Sequence, residues 1–195
     1  LGRLERKGAR VSVPEDAHLS RRSFAEADVV IVNTCSFIEG AKKESIDTIL
    51  DLIALKKQGK IKKIVVAGCL SQRYGSQLVK ELPEVDAFVG VQALRKEALQ
   101  EACRLTPPHY AYVKICESCF NQCSFCVIPK LKGKFVSRTV EAVLEDVRRL
   151  DARGVKELNV VGQDITAYGV DLYQEKKLPE LLRRIAGECR SIEWI

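Results

Sequence analysis

The sequence predicts an α/β fold in two parts: a doubly wound N-terminal domain, followed by the first part of a (β/α) barrel. Short apolar runs alternate with longer segments of helical periodicity along nearly the whole chain, a pattern typical of parallel α/β sheets. The runs are rich in β-branched residues, as buried parallel strands are. Two prolines in "LTPPHY" (105–110) interrupt the alternation and indicate a boundary. We therefore predict domains at 1–104 and 105–195.

The elements of the first domain can be assigned in order. Residues 1–27 read as the end of a helix, a short extended piece at 10–13 and a polar connection. The β-branched run 29–32 predicts a strand buried on both faces. Apolar residues at helical spacing between 41 and 53 predict a helix that ends at Gly59. "KKIVVAGCL" predicts a second strand, "DAFVG" a third, and helices are expected at 72–82, before Pro83, and at 94–104.

The second domain repeats the strand–helix pattern. "AYVKI" predicts a strand, and an apolar face over 140–150 predicts a helix with Ser137 or Thr139 as N-cap and Gly154 as its end. "KELNVVGQD" predicts the next strand, "LPELLRRIAGEC" a helix and "SIEWI" a last strand. The pattern then stops, so we expect only the first strands and helices of a barrel.

Composition sets the chemical setting. At 195 residues the chain can bury a core, so its eight cysteines are not needed as disulfide staples. No signal peptide opens the sequence and no apolar run is long enough to cross a membrane. We expect a reducing, cytoplasmic location with no membrane partner, where clustered cysteines indicate metal binding or catalysis. The net charge of +6 permits a nucleic-acid or ribosomal partner without requiring one.

Four cysteines lie within "CESCFNQCSFC" (116–126). From Cys119 the spacing is C-x3-C-x2-C, whereas structural zinc favours two C-x2-C pairs or added histidines. Three thiolates on one short loop suit three irons of a 4Fe–4S cluster and leave the fourth iron open to a small molecule, the arrangement of radical S-adenosylmethionine (SAM) enzymes. The loop follows the first strand of a (β/α) unit, where such folds place active sites. We interpret Cys116 as a strand-end thiol without a ligand role. The alternative is that it provides a fourth ligand.

Two further cysteines occupy parallel positions. Cys35 ends "VVIVNTC" and Cys69 ends "IVVAGC", each just before a predicted helix. Open α/β sheets bind ligands at the carboxyl ends of their strands, and a helix N-terminus favours a thiolate. The residues alone leave open whether these are ligands or ordinary buried thiols. Cys103 and Cys189 are interpreted as structural.

Six motifs carry a family resemblance. They are "NTCSFI" (33–38), "GCLSQRY" (68–74), "PHYAYVKI" (108–115), the C-x3-C-x2-C loop, "IPKLKGKFVSR" (128–138) and "GQDITAYGVDLY" (162–173). Together they resemble the radical SAM methylthiotransferases over nearly the whole chain. Two of them, "PHYAYVKI" and "GQDITAYGVDLY", resemble the branch that modifies a ribosomal protein more than the branch that modifies tRNA.

The resemblance implies two 4Fe–4S clusters and S-adenosyl-L-methionine as cofactors. It maps the SAM-binding cluster onto Cys119, Cys123 and Cys126, and the auxiliary cluster onto Cys35 and Cys69. A flavodoxin-like first domain would carry the auxiliary cluster, whose third cysteine would lie upstream of Leu1. A barrel remainder and a C-terminal β domain are also expected outside this sequence, so this segment alone is expected to be inactive.

The implied reaction adds a methylthio group to an unactivated carbon. One SAM would methylate sulfur at the auxiliary cluster, and a second would supply the radical that removes hydrogen from the substrate. The implied substrate is the β-carbon of an aspartate in ribosomal protein S-twelve of the small ribosomal subunit, with flavodoxin or ferredoxin as electron donor. Alternatives are adenosine of tRNA and a non-catalytic iron–sulfur electron carrier.

Residues near the cluster motif complete the predicted site. Gln163 and Asp164 end the second barrel strand, so we expect them to contact SAM, together with Phe125 beside the last loop cysteine. The alternative for Asp164 is that it caps the following turn. The basic stretch Lys130, Lys132, Lys134 and Arg138 is expected to be solvated by default, although it could also meet RNA or an acidic substrate loop.

Overall fold

The computed structural model describes residue 10 and residues 27–95 and 106–195. The chain divides into two compact units, Leu1–Cys103 and Arg104–Ile195, and each has its own apolar core. The elements predicted within 1–26, and the part of the third helix after residue 95, lie outside the described residues. No helix in the described part of the chain is long and apolar enough to span a membrane.

The first unit has the predicted alternation of strands and helices. Its elements are β1 (Val29–Thr34), α1 (Glu39–Lys57), β2 (Lys63–Gly68), α2 (Cys69–Glu81), β3 (Ala87–Gly90) and α3 (Val91–Arg95). The strands form a parallel sheet in the order β1-β2-β3. Helix α2 begins at Cys69, three residues earlier than predicted, so this cysteine opens the helix rather than ending the strand.

The prediction that the first strand is buried on both faces was wrong. Val30 and Val32 are buried, whereas Val29 is 48% and Ile31 43% exposed. Helices α1 and α2 contribute to the same core as the buried face of β1. Strands added in consecutive order through right-handed crossovers place their helices on one face of the sheet, so a strand can be fully β-branched and yet be covered on a single face by these helices.

The second unit contains a short parallel pair and a two-residue ribbon. Its elements are β4 (Tyr110–Lys114), β5 (Cys116–Glu117), α4 (Ile128–Lys132), β6 (Val136–Ser137), α5 (Val140–Ala152), β7 (Glu157–Val161), a 3₁₀ turn (Ile165–Ala167), α6 (Val170–Tyr173) and α7 (Leu178–Glu188). Strands β4 and β7 pair in parallel, whereas β5 and β6 pair antiparallel. Helices α5 and α7 lie at the predicted positions and bury their apolar faces in one core.

Helix α5 confirms the predicted end signals. The Thr139 hydroxyl accepts a hydrogen bond from the Ala142 N–H at 3.2 Å, so Thr139 rather than Ser137 is the N-cap. Gly154 follows the helix with a φ of +77°, the left-handed conformation that favours glycine after a helix. These two caps set the first and last residues of the helix.

The last predicted strand is reduced to one bridge. Trp194 forms an isolated parallel bridge with Glu157 on β7. The preceding backbone is held differently, because the Asp151 carboxylate accepts hydrogen bonds from the N–H groups of Arg190, Ser191 and Ile192. Amides that bind a carboxylate are not available to a strand ladder, so of the strand predicted over 191–195 only the bridge at Trp194 forms.

Candidate functional site

The three predicted cluster cysteines lie on one loop, residues 118–135, which we call the cysteine loop. Cys119 and Cys126 are half-buried and Cys123 is exposed. The Cys126 N–H donates to the Cys123 carbonyl at 3.0 Å, which forms a tight turn between the last two thiols. Phe125, predicted to border the cofactor, is 88% exposed. The loop therefore presents thiols and an aromatic ring outward.

The placement of the loop follows from the pairing of β4 and β7. Both strands run in the same direction, so the segments that follow them emerge at the same edge of the pair. Residues 116–126 follow β4, and Gln163 and Asp164 follow β7. The structure thus brings the cysteine loop and these two residues to one side of the second unit, as the sequence predicts.

The donor set fits an iron–sulfur cluster by its chemistry. Among the described residues, no three Cys, His, Asp or Glu side chains converge closely enough to hold a single metal ion. The three loop thiols are at least partly accessible and lie within eight residues of one another. Accessible thiols on one short loop can act as thiolate ligands, whereas buried thiols in apolar surroundings are inert.

Cys116 is a buried thiol of this inert type. It is 1% exposed, and its Sγ lies 3.7 Å from the Asp164 carbonyl oxygen, to which the thiol donates. Burial, followed by the charge of Asp164, raises the pKa of the Cys116 thiol to about 11. A Cβ at Gly162 would lie 2.5 Å from the Cys116 Sγ, so only glycine allows this approach. The geometry favours the interpretation of Cys116 as a strand-end thiol.

A buried carboxylate holds the base of the cysteine loop. The Glu117 side chain is 9% exposed and pairs with Lys132 at 2.8 Å and with Lys114. Burial acts to raise the pKa of Glu117, but the hydrogen bonds and charges of Lys114 and Lys132 outweigh it and lower the pKa. Sequence reasoning missed this cluster, because the i,i+3 spacing of Lys114 and Glu117 indicates an ion pair only on a helix and the contact with Lys132 is not local.

The prediction of a solvated basic stretch therefore holds only in part. Lys130 and Lys134 are exposed, but the Lys132 side chain is 14% exposed because it pairs with Glu117. The Arg138 side chain is 10% exposed, pairs with Asp146 and donates to the carbonyl oxygens of Lys114 and Ala142. The prediction of a solvated side chain was wrong for Lys132 and Arg138, because both side chains bind groups within this unit.

Backbone geometry at the base of the loop is unusual. Ser118 is fully buried and adopts a φ of +67°, one of two described non-glycine residues with positive φ. Its hydroxyl donates to the Gly133 carbonyl at 2.6 Å. The left-handed conformation costs a non-glycine residue energy, and the hydrogen bond offsets that cost.

Asp164 joins the cysteine loop to the segment after β7. Its Oδ2 accepts from the Asn121 side-chain amide at 2.7 Å, and its Oδ1 accepts from the Thr166 N–H at 3.0 Å. Asp164 is the N-cap of the 3₁₀ turn, which is the turn-capping alternative weighed above. Gln163 is exposed. A SAM contact by either residue stays a prediction.

A cavity of about 500 Å³ lies inside the cysteine loop. Its lining combines thiol, aromatic and charged groups: Cys119, Phe120, Asn121, Lys134, Phe135 and Asp171. The rings of Phe120 and Phe135 meet edge to face, with centroids 5.9 Å apart. The carboxylate of Asp171 accepts the Ser137 N–H at 2.8 Å, which ties one wall of the cavity to strand β6.

The other two predicted ligands lie together in the first unit. Thr34 and Gly68 are register partners at the ends of β1 and β2, and Cys35 and Cys69 are the residues that directly follow them. Both cysteines are therefore at the carboxyl edge of the sheet, and both are half-buried. A Cβ at Gly68 would lie 2.6 Å from the Thr34 carbonyl oxygen, so glycine is needed for the strands to close up beside the two thiols.

Hydrogen bonds hold the Cys35 backbone in place. The Cys35 N–H donates to the Ser45 hydroxyl at 3.1 Å, and the Phe37 N–H donates to the Cys35 Sγ at 3.5 Å. The neighbouring Ser36 hydroxyl is buried and has no hydrogen-bond partner among the described residues. Two thiols and a buried hydroxyl without a partner among the described residues thus lie at one edge of this sheet.

Comparison with known proteins agrees with both units. Residues 10–90 match the uncharacterised protein family UPF0004, and residues 113–193 match the radical SAM superfamily. The chain is 43% identical over 196 aligned positions to a Clostridioides difficile protein named ribosomal protein uS12 methylthiotransferase RimO, covering 88% of this chain and 44% of that protein. Proteins of the same name from Phocaeicola vulgatus and Clostridium tetani are 41% and 46% identical, covering 100% and 87% of this chain and 46% and 43% of theirs.

These matches cover the two units and the motifs on which the resemblance depends. The chain spans less than half the length of each of these relatives. The UPF0004 match includes the segment that holds Cys35 and Cys69, and the radical SAM match includes the cysteine loop. The chain therefore carries a UPF0004 unit followed by a radical SAM unit, and over most of its length it is similar to proteins named RimO.

Proposed function

We propose that the protein adds a methylthio group to the β-carbon of an aspartate in ribosomal protein uS12. The observation that carries the proposal is the pairing of two thiol sites in one chain. Three accessible thiols lie on the cysteine loop of the second unit, and two lie at the sheet edge of the first. Similarity to proteins named uS12 methylthiotransferase supports the choice of substrate.

Cys119, Cys123 and Cys126 would hold the SAM-binding 4Fe–4S cluster. When bound, such a cluster with one open iron binds SAM and supplies the electron for its cleavage. The loop places its thiols beside the segment after β7, so Gln163 and Asp164 lie where they can orient the cofactor. Exposed Phe125 gives that side of the loop an apolar surface, which can cover a reactive group and exclude water.

Cys35 and Cys69 would hold the auxiliary 4Fe–4S cluster. The strand register places both thiols at one edge, and the start of α2 at Cys69 directs the positive end of a helix dipole toward that thiolate. A third thiolate would come from outside this sequence. The unpaired Ser36 hydroxyl can donate a hydrogen bond to a sulfur of this cluster.

The partners follow from the chemistry. The reaction needs a one-electron donor such as flavodoxin or ferredoxin, and ribosomal protein uS12 or the small ribosomal subunit as substrate, which places the enzyme in the cytoplasm. A tRNA adenosine substrate is the second candidate, and exposed Lys130 and Lys134 would suit it. A simple electron carrier is disfavoured because it needs a fourth cluster ligand, and the neighbouring Cys116 is buried with a raised pKa.

The experiment separates the two half-reactions. In the intact protein, Cys35→Ala or Cys69→Ala is expected to leave SAM cleavage to deoxyadenosine and to abolish the methylthio product on uS12, because only sulfur delivery needs the auxiliary cluster. Cys189→Ala, which alters a half-buried thiol at the end of α7, is the matched control and is expected to retain both. Methylthio product formed by Cys35→Ala in proportion to folded protein would overturn the auxiliary site.

A further inference from the structure

Glu117 occupies a position that stability alone does not explain. It lies two residues before Cys119 and its side chain is 9% exposed. A buried ion pair is often no more stabilising than apolar residues of the same volume, because both charges lose their hydration. A carboxylate kept at such a site therefore points to a need for specific geometry.

The two partners of Glu117 come from opposite ends of the cysteine loop. Lys114 is the last residue of β4, just before the cysteine loop. Lys132 is the last residue of α4, near the end of the cysteine loop. The Lys132 Nζ reaches a Glu117 carboxylate oxygen at 2.8 Å, and Lys114 pairs with the other oxygen. One carboxylate thus joins the strand that leads into the loop to the helix that leads out of it.

Two adjacent contacts also join the beginning of the cysteine loop to its end. The Ser118 hydroxyl bonds the Gly133 carbonyl at 2.6 Å, and Glu117 pairs with Val136 in the β5–β6 ribbon. Closing a flexible loop costs conformational entropy. If the loop is already closed at its base, less conformational entropy is lost when its thiols bind iron.

We propose that Glu117, bridged by Lys114 and Lys132, is a positioning residue that closes the cysteine loop before the cluster is assembled. The proposal deepens the function proposed above, because it assigns a residue outside the ligand set to the assembly of the loop site. It rests on the contacts of Glu117 rather than on its protonation.

The first test needs no cluster. Lys130 and Lys134 are exposed trypsin sites within the loop. In the iron-free intact protein, Glu117→Gln and Lys132→Met are expected to raise the rate of trypsin cleavage within 118–135 by roughly tenfold or more, because local opening becomes easier once the pair is broken. Cleavage after Arg183, an exposed residue of helix α7, serves as the internal reference and is expected to stay unchanged. Equal cleavage of the loop in wild type and both variants would overturn the proposal.

The second test reads the assembled site. After anaerobic reconstitution, Glu117→Gln is expected to lose most of the loop iron and to broaden the EPR signal of what remains. Lys130→Met, which alters an exposed lysine of α4, is the matched control and keeps both. The charge-exchanged pair Glu117→Lys with Lys132→Glu is expected to recover part of the iron. Wild-type iron and spectrum in Glu117→Gln would contradict the role of Glu117. Absence of any loop cluster in the wild-type protein would instead overturn the proposed function.

Discussion

The four clustered cysteines differ in accessibility, and this separates the three loop thiols from the fourth. Cys123 is exposed and Cys119 and Cys126 are half-buried, whereas Cys116, on β5, is buried against the segment after β7. A thiol must ionise to bind iron, and burial opposes ionisation. Sequence spacing alone cannot make this distinction, because C116-x2-C119 and C123-x2-C126 are the same pattern.

The raised pKa of Cys116 makes stability fall in alkaline solution. Its folded pKa is about 11, above the ordinary value of 9.0, so the folded state keeps a proton that the unfolded state loses. The contribution is fully present below pH 9 and is lost as the pH rises toward 11. Urea denaturation between these limits is expected to show that the iron-free wild-type protein loses up to about 2 kcal/mol more than Cys116→Ala loses. The same alkaline loss in Cys116→Ala would contradict the assignment.

At the scale of elements, the cysteine loop depends on a two-stranded ribbon that cannot be predicted from the sequence. Strands β5 and β6 have two residues each, too short for any periodicity to be visible. The pairing of Cys116 with Ser137 is a non-local contact, and so is the bridge from Glu117 to Lys132. By contrast, the end of α1 before Gly59 and the cap of α5 at Thr139 are local, and the sequence predicts both.

The other differences also come from tertiary context. The run from Val29 to Val32 predicts a strand correctly, but the number of its faces that are covered depends on which side α1 and α2 pack. The carboxylate of Asp151 binds the backbone at 190–192 from about 40 residues away and replaces the start of a predicted strand. For the candidate site, the motifs predict which cysteines lie on the loop and at the sheet edge, whereas the residues that hold the loop in place could not be predicted.

Ser118 allows a direct test of the loop conformation. Ser118→Gly and Ser118→Ala both remove the hydroxyl that bonds Gly133, so they differ only in tolerance of the positive φ of 67°. Glycine adopts this conformation freely, and alanine pays about 1 kcal/mol for it. Chemical denaturation of the intact protein is expected to find Ser118→Gly more stable than Ser118→Ala by that amount. Equal stability of the two variants would show that Ser118 is not left-handed.

At the scale of the whole molecule, the chain carries two thiol sites on two separately packed units. Each site follows the carboxyl ends of parallel strands, the edge at which α/β folds bind their ligands. The family matches cover both units, but the relatives are more than twice as long as the segment they share with this chain. The proposed division of work assigns SAM cleavage to the second unit and sulfur delivery to the first.

The central claim is that Cys119, Cys123 and Cys126 hold a SAM-binding cluster that is separate from the one at Cys35 and Cys69. The most direct measurement is iron content with EPR spectra, with and without SAM, of the reconstituted intact protein. Wild type is expected to bind about eight irons in two 4Fe–4S clusters, with one EPR signal that SAM perturbs. Alanine at all three loop cysteines should leave about four irons and a signal that SAM does not change, while Cys116→Ala should match wild type. A SAM-sensitive signal that survives the loss of the three loop cysteines, or iron loss just as large in Cys116→Ala, would contradict the account.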